Sequence, residues 1–307
     1  MEQPQKKRLK FILIALLIFA LLSFFVSFAM SFFIDFEPLG NVALIPIKGE
    51  ISVEEDGSFG SAAVSSTDIV EEIKKADAKP MIKAIVFDIN SPGGSPVASK
   101  EIADAIKKAN KTTVAVIREV GASGAYWAAS ASDYIIANEM SVTGSIGVIG
   151  SYIEFAGLLQ RYNMTYQRLT SGKYKDLGDP FRPMEAEEKE ILLKKISKIH
   201  DIFIKAVSEN RNMPEERVRE MATGEFYLGV EALDLGLIDA LGDKDTAEQW
   251  LKQNLNLTEV KFAEYKKTKG LFEMLTGVLS PISFFVGKGI GSELKDVGTT
   301  RKIEIIT

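Results

Sequence analysis

Residues 83–125 read KAIVFDINSPGGSPVASKEIADAIKKANKTTVAVIREVGASGA, and the fold turns on how this stretch is parsed. Lys83 to Asn90 is a short apolar run of the kind found in strands buried on both faces. Ile102, Ala105 and Ile106 fall on one side of a helix predicted over Val97 to Lys111. Thr112 to Ile117 is a second buried strand, Ala122 to Ser132 a helix of small residues, and Asp133 to Asn138 a third strand. Short strands alternating with helices imply an α/β fold, a parallel sheet with helices on its faces.

Working outward, Asn41 to Ile51 reads as an earlier strand ending at Gly49, and the polar Ser52 to Thr67 as a loop. Asp68 caps a short helix carrying Ile69, Val70, Ile73 and Ala76 on one face. Downstream, Thr165 to Thr170 is strand-like. Met184 to Asn210 is a long helix with Ile191, Leu192, Ile196, Ile199, Phe203 and Val207 along one stripe. A helix follows Pro214, and Gly224 to Gly242 is a compact run of turns with a short strand. Leu271 to Ile290 is apolar but carries Glu273, Pro281 and Lys288, which argues against a membrane span there.

Ahead of all this, Phe11 to Ile34 is a run of 24 residues without a charge. As a helix rising about 1.5 Å per residue it is long enough to cross a hydrocarbon core of about 30 Å. A cleaved signal peptide has a shorter apolar stretch and a small-x-small cleavage site, whereas this run ends in the bulky Phe32-Phe33-Ile34. Lys6, Lys7, Arg8 and Lys10 precede it and Asp35 and Glu37 follow, so the positive-inside rule keeps the N-terminus cytoplasmic and sends the rest outside. The chain then divides into a basic N-terminus (1–10), a transmembrane anchor (11–34), an extracytoplasmic domain (35–256) and a C-terminal tail (257–307), the last a candidate oligomer or membrane contact.

Composition excludes more than it suggests. There is no cysteine among the 307 residues, which removes disulfides, thiol nucleophiles and thiolate metal sites. There is one histidine, His200, so no mechanism or metal site needing two imidazoles fits within one chain. A net charge of −5, with no basic face of the usual kind evident, argues against nucleic acid as a partner.

Two glycine-rich turns end buried strands: Asn90-Ser91-Pro92-Gly93-Gly94 and Gly121-Ala122-Ser123-Gly124-Ala125. In such sheets ligands bind beyond the carboxyl ends of the strands. Ser123 stands where a helix begins, with free N–H groups and the positive end of the dipole beside it, a setting suited to a serine nucleophile whose intermediate bears an oxyanion. The same pattern also describes a structural turn with Ser123 as an N-cap. A nucleophilic serine needs a base, and His200 sits within the stripe of the long helix, where it reads as a boundary residue. Lysine or a carboxylate remains. Lys173 and Lys175 lie among turn residues of Ser171-Gly172-Lys173-Tyr174-Lys175-Asp176, and their sequence alone does not choose between them.

Taken in order, Ile89 to Gly94, Gly121 to Tyr126, Thr143-Gly144-Ser145-Ile146-Gly147-Val148 and Ser171 to Asp176 resemble the signal peptide peptidase A family, over about Val42 to Leu241. The resemblance implies a crotonase/Clp-protease-like fold and a serine endopeptidase working by a Ser-Lys dyad without metal or cofactor. It implies Ser123 as nucleophile, Lys175 as general base, the amides of Gly94 and Gly124 as oxyanion hole, and Ser145 as the hydroxyl that orients the lysine. It further implies N-terminal anchoring in the lipid membrane, a ring-like homo-oligomer around an enclosed cavity, and cleaved signal peptides or other short membrane-associated chains as substrates. A lysine acts as a base only when neutral, so activity is expected to rise toward alkaline pH.

Three other readings compete. A crotonase-type enzyme on acyl thioesters shares the fold, and a stomatin-directed membrane protease shares the dyad. A scaffold that binds peptides without cutting them is a third. A Clp-like triad is disfavoured, because it needs a histidine roughly 25 residues after the serine and the positions around Val148 hold none.

Overall fold

A computed structural model describes residues 3–31, 39–54 and 63–265. Its order is α1 (Gln3–Ser31), β1 (Val42–Lys48), β2 (Glu50–Ser52), β3 (Ala63–Ser65), α2 (Ser66–Ala78), β4 (Ala84–Ser91), α3 (Pro96–Lys108), β5 (Thr112–Ala122), α4 (Gly124–Ser130), β6 (Tyr134–Ala137) and β7 (Val142–Gly144). There follow α5 (Ala156–Arg161), α6 (Ala186–Arg211), α7 (Glu215–Met221), β8 (Phe226–Leu228), α8 (Gly229–Leu235), β9 (Ala240–Leu241), α9 (Lys244–Leu255) and β10 (Phe262–Glu264). Within α1, Lys10 to Phe28 is apolar and long enough to cross a membrane.

The main sheet runs β10-β1-β4-β5-β6-β9 with every neighbour parallel. The period of two that defines a strand sorts its side chains between two cores. Ile85, Phe87 and Ile89 of β4, Ala115 and Ile117 of β5, and Ile135 of β6 point to the face covered by α2, α3, α4 and α6. Val86, Val114, Val116 and Ile136 point to the other face, where Ala247 and Leu251 of α9 close a smaller core. Burial on both faces explains why these strands read as continuous apolar runs rather than alternating ones.

Several elements depart from the expectation. β5 does not stop at Ile117: it pairs with β6 through Val114–Ile117 and then with β7 through Val120–Ala122. The charged Arg118 and Glu119 break the apolar run in the sequence but not the backbone pairing, because they sit exposed at the sheet's carboxyl edge. The ends of the expected loop Ser52 to Thr67 form a small parallel pair, β2 with β3, while residues 55–62 lie outside the described ones. Ser65 rather than Asp68 is the N-cap of α2, accepting from the Asp68 amide. Residues 165–170 are not a strand. Helices α8 and α9 stand where no helix is expected from the sequence. Residues 257–265, assigned above to the tail, end in β10, which joins the sheet beside β1. Leu271 to Ile290 lies outside the described residues.

Candidate active site

The two glycine-rich turns meet at the carboxyl ends of β4 and β5. Gly93 has φ +98°, which a side chain tolerates poorly, and a Cβ there would come within 2.6 Å of the Gly124 nitrogen. A Cβ on Gly94 would strike the Ile51 carbonyl oxygen at 2.1 Å, because the 93–95 backbone is bonded to Ile51 on both sides: the Ile51 amide donates to the Gly93 carbonyl and the Ser95 amide to the Ile51 carbonyl, each at 2.8 Å. On Gly124 a Cβ would lie 3.3 Å from the Gly94 nitrogen. Close backbone approach requires glycine at Gly93 and Gly94, and at Gly124 a Cβ would meet the Ser99 hydroxyl oxygen at 2.1 Å. Among the described residues neither the Gly94 nor the Gly124 amide donates to a protein acceptor, and Gly124 is the first residue of α4, where such amides are left free by helix geometry.

Ser123 is the single residue between β5 and α4. It has φ 53° and ψ −124°, a conformation that costs a non-glycine residue about 1–3 kcal/mol. It occupies the N-cap position, yet its hydroxyl makes no capping hydrogen bond, so the purely structural role open to it from sequence is not the one it plays. The strain is held from both sides: the Ser123 amide donates to the Gly144 carbonyl at 2.8 Å, and its carbonyl accepts from the Trp127 amide at 2.9 Å.

Ser145 follows Gly144 with φ 50°, its amide donating to the Glu225 carbonyl at 2.9 Å and its hydroxyl to the Gly224 carbonyl at 3.2 Å. Ser123, Gly94, Gly124 and Ser145 line one cleft of about 520 Å³. Its walls are completed by Trp127, Val148, Ile149, Ile199, Phe203 and, unanticipated from the sequence, His200. The His200 Nε2 lies 3.3 Å from the Ile146 carbonyl oxygen. The signal for His200 was the helical stripe itself: the stripe faces the α4 end of the sheet, with Phe203 stacked on Trp127 at 4.6 Å between ring centroids.

Lys175 is not brought into this cleft. It lies in a turn whose amide donates to the Gly172 carbonyl, with its side chain exposed, and it is not part of the cleft wall. The other lysine of the pair, Lys173, is held charged by Glu187 at 2.6 Å, which raises its pKa well above the ordinary lysine value. The turn is anchored by the residue after Lys175. Asp176 accepts from Arg168 and Arg182, and both guanidiniums keep its carboxyl well below the usual range. Arg182 also reaches Glu188, whose carboxyl is lowered to about 2 by that guanidinium first and by the Glu185 amide second. The segment carrying Lys175 is otherwise rich in exposed apolar side chains, among them Ile149, Ile153, Tyr162 and Leu169, the last 95% exposed.

The family model for peptidase family S49 matches residues 105–258. A Methanocaldococcus jannaschii protein carrying a provisional protease name is 34% identical over 230 residues, covering 74% of this chain and 72% of that one. The chloroplastic serine protease SPPA of Arabidopsis thaliana is 31% identical over 265 residues, covering 85% of this chain but 38% of the plant protein. A solved structure of a membrane-bound stomatin-specific protease superposes with a TM-score of 0.50 at 16% identity, covering 74% of this chain and 98% of that one, a likeness of fold alone. The fold is therefore the Clp-protease-like one, and the acyl-thioester alternative gives way to peptide hydrolysis. The chain belongs to peptidase family S49, the family of signal peptide peptidase A, and is a serine-type peptidase.

Proposed function

We propose that the protein is a membrane-anchored endopeptidase of the extracytoplasmic side that degrades cleaved signal peptides and similar short chains by a Ser-Lys dyad. The observation that carries this reading is Ser123: a strained serine with an uncommitted hydroxyl, at the N-terminus of α4, in a cleft with two undonated glycine amides. Ser123 attacks the peptide carbonyl, and the amides of Gly94 and Gly124 stabilise the oxyanion. Neutral Lys175 takes the hydroxyl proton and delivers it to the leaving amine, after which a water activated in the same way releases the acyl-enzyme. Ser145 orients the lysine amine. The apolar helix from Lys10 to Phe28 supports anchoring, and Lys6, Lys7, Arg8 and Lys10 ahead of it support a cytoplasmic N-terminus.

Because Lys175 is exposed and outside its own chain's cleft, it is the base of a neighbouring copy's Ser123. The exposed Ile149, Ile153, Tyr162 and Leu169 supply the apolar surface that docking of copies would cover. The test is cleavage of a fluorogenic signal-peptide-like substrate by the full chain in detergent, beside Ser123→Ala and Lys175→Met. Each variant alone is expected to be inactive while folded, and co-assembled variants are expected to regain part of the wild-type rate. Activity in Lys175→Met alone overturns the dyad, and no recovery on co-assembly overturns the sharing of Lys175 between copies.

A further inference from the structure

Among the described residues, His200 is the one titratable side chain on the wall of the Ser123 cleft. Its polar side chains are the hydroxyls of Ser123, Ser145 and Thr223 and the imidazole of His200, and the rest is apolar: Trp127, Val148, Ile149, Ile199 and Phe203, with prolines and glycines. His200 is half-buried on α6, with Nε2 3.3 Å from the Ile146 carbonyl oxygen. That carbonyl can only accept, so the contact assigns the Nε2–H tautomer and leaves Nδ1 as the atom that gains a proton.

We infer that His200 selects the side chain of the residue whose carbonyl Ser123 attacks, accepting an apolar side chain when neutral and favouring a carboxylate when charged. An unperturbed imidazole changes charge between about pH 5 and 8. Beside Trp127 and Phe203 a neutral ring is one more flat surface. The wall offers a charged ring no carboxylate of its own, and a substrate carboxylate would supply one.

Among the described residues no other group near the ring does so. On α6 the residues one turn away are Ile196, Ser197, Phe203 and Ile204, and the one titratable side chain of α4 is the buried Tyr126, whose hydroxyl is bonded to the Leu237 carbonyl. The Ser145–Gly150 segment has no titratable side chain. On α7, Arg219 is paired with Asp201 of α6 and with Glu215, Arg217 bonds the Leu235 carbonyl, and Glu216 and Glu220 are exposed. Glu225 is likewise exposed and contributes its backbone carbonyl to Ser145.

The inference rests on Ser123 being the nucleophile of this cleft, which loss of cleavage in Ser123→Ala tests separately. Two fluorogenic peptides, identical except for Leu or Glu before the scissile bond, are compared by kcat/KM from pH 8 to 5.5 on the full chain in detergent. Taking the ratio cancels the ionisation of the catalytic base, which both substrates share. In the wild type the Glu/Leu ratio is expected to rise about tenfold toward pH 5.5, the size of a charge-assisted hydrogen bond, and to stay level in His200→Gln and His200→Phe. A wild-type ratio that does not change with pH, or one that changes equally in the two variants, overturns the assignment.

Discussion

The Ser123 amide donates to the Gly144 carbonyl at 2.8 Å, which makes the turn bearing Ser123, the proposed nucleophile, and the turn bearing Ser145 one hydrogen-bonded unit. Thr143 adds a bond from its hydroxyl to the Gly121 carbonyl at 2.8 Å. A site built this way holds a strained serine in place without using its side chain, so the hydroxyl stays available for chemistry.

Gly94→Ala tests the proposed oxyanion hole beside that unit. Its Cβ would lie 2.1 Å from the Ile51 carbonyl oxygen, so the 93–95 backbone must move and carry the Gly94 amide with it. Loss of one oxyanion donor costs about 10²–10³ in kcat. Steady-state kinetics should show that loss mainly in kcat, and a variant within about tenfold of wild type would remove Gly94 from the oxyanion hole.

Glu188 makes the Lys175 turn acid-labile. Its carboxyl is lowered from 4.5 to about 2, so it binds protons more weakly folded than unfolded. The stabilisation is therefore complete above about pH 4.5 and declines as pH falls toward 2, with Asp176, also lowered, acting in the same direction. Hydrogen-exchange protection factors for residues 164–188, which correct for the slower intrinsic exchange in acid, should fall through this window in wild type. In Glu188→Gln they should be lower at neutral pH and change less with acid.

Phe203→Ala removes the ring stacked on Trp127 from a site where Phe203 is 2% exposed. Truncating a buried phenylalanine costs about 3–5 kcal/mol, and Phe203→Leu should cost less, about 1–2 kcal/mol. Denaturant unfolding measures both. Equal stabilities would mean that the α4–α6 contact collapses onto the gap.

Arg211 and Asp239 form a largely buried pair at 2.6 Å, and Asp239 also accepts from the Ile135 amide at 2.7 Å. Asp239→Asn leaves Arg211, whose side chain is 9% exposed, without a counter-charge. Breaking a buried pair costs about 3–5 kcal/mol, and the 26% exposure of Asp239 puts this one at the low end. Thermal unfolding should show a lowered Tm, and an unchanged one would mean that water screens the pair.

The sequence by itself determined the alternating strands and helices, the apolar N-terminal helix and the four motifs. Those features are local: periodicity, glycine and serine at strand ends, and the absence of charge over a long run are all set by neighbouring residues. Helices α8 and α9 went unread although Asp243 caps α9 locally; the rest of what it missed was non-local. The extension of β5 past Arg118 depends on β7 pairing beside it, and β10 is a strand because β1 offers it an edge. His200 looked like an ordinary boundary residue because a helical stripe shows which residues face inward, not what they face. Only the tertiary structure decided that α6 packs against α4 and brings His200 to the Ser123 cleft. It also left Lys175 on an exposed turn, since the Arg168, Arg182 and Glu188 network ties that turn to the start of α6 rather than to the cleft.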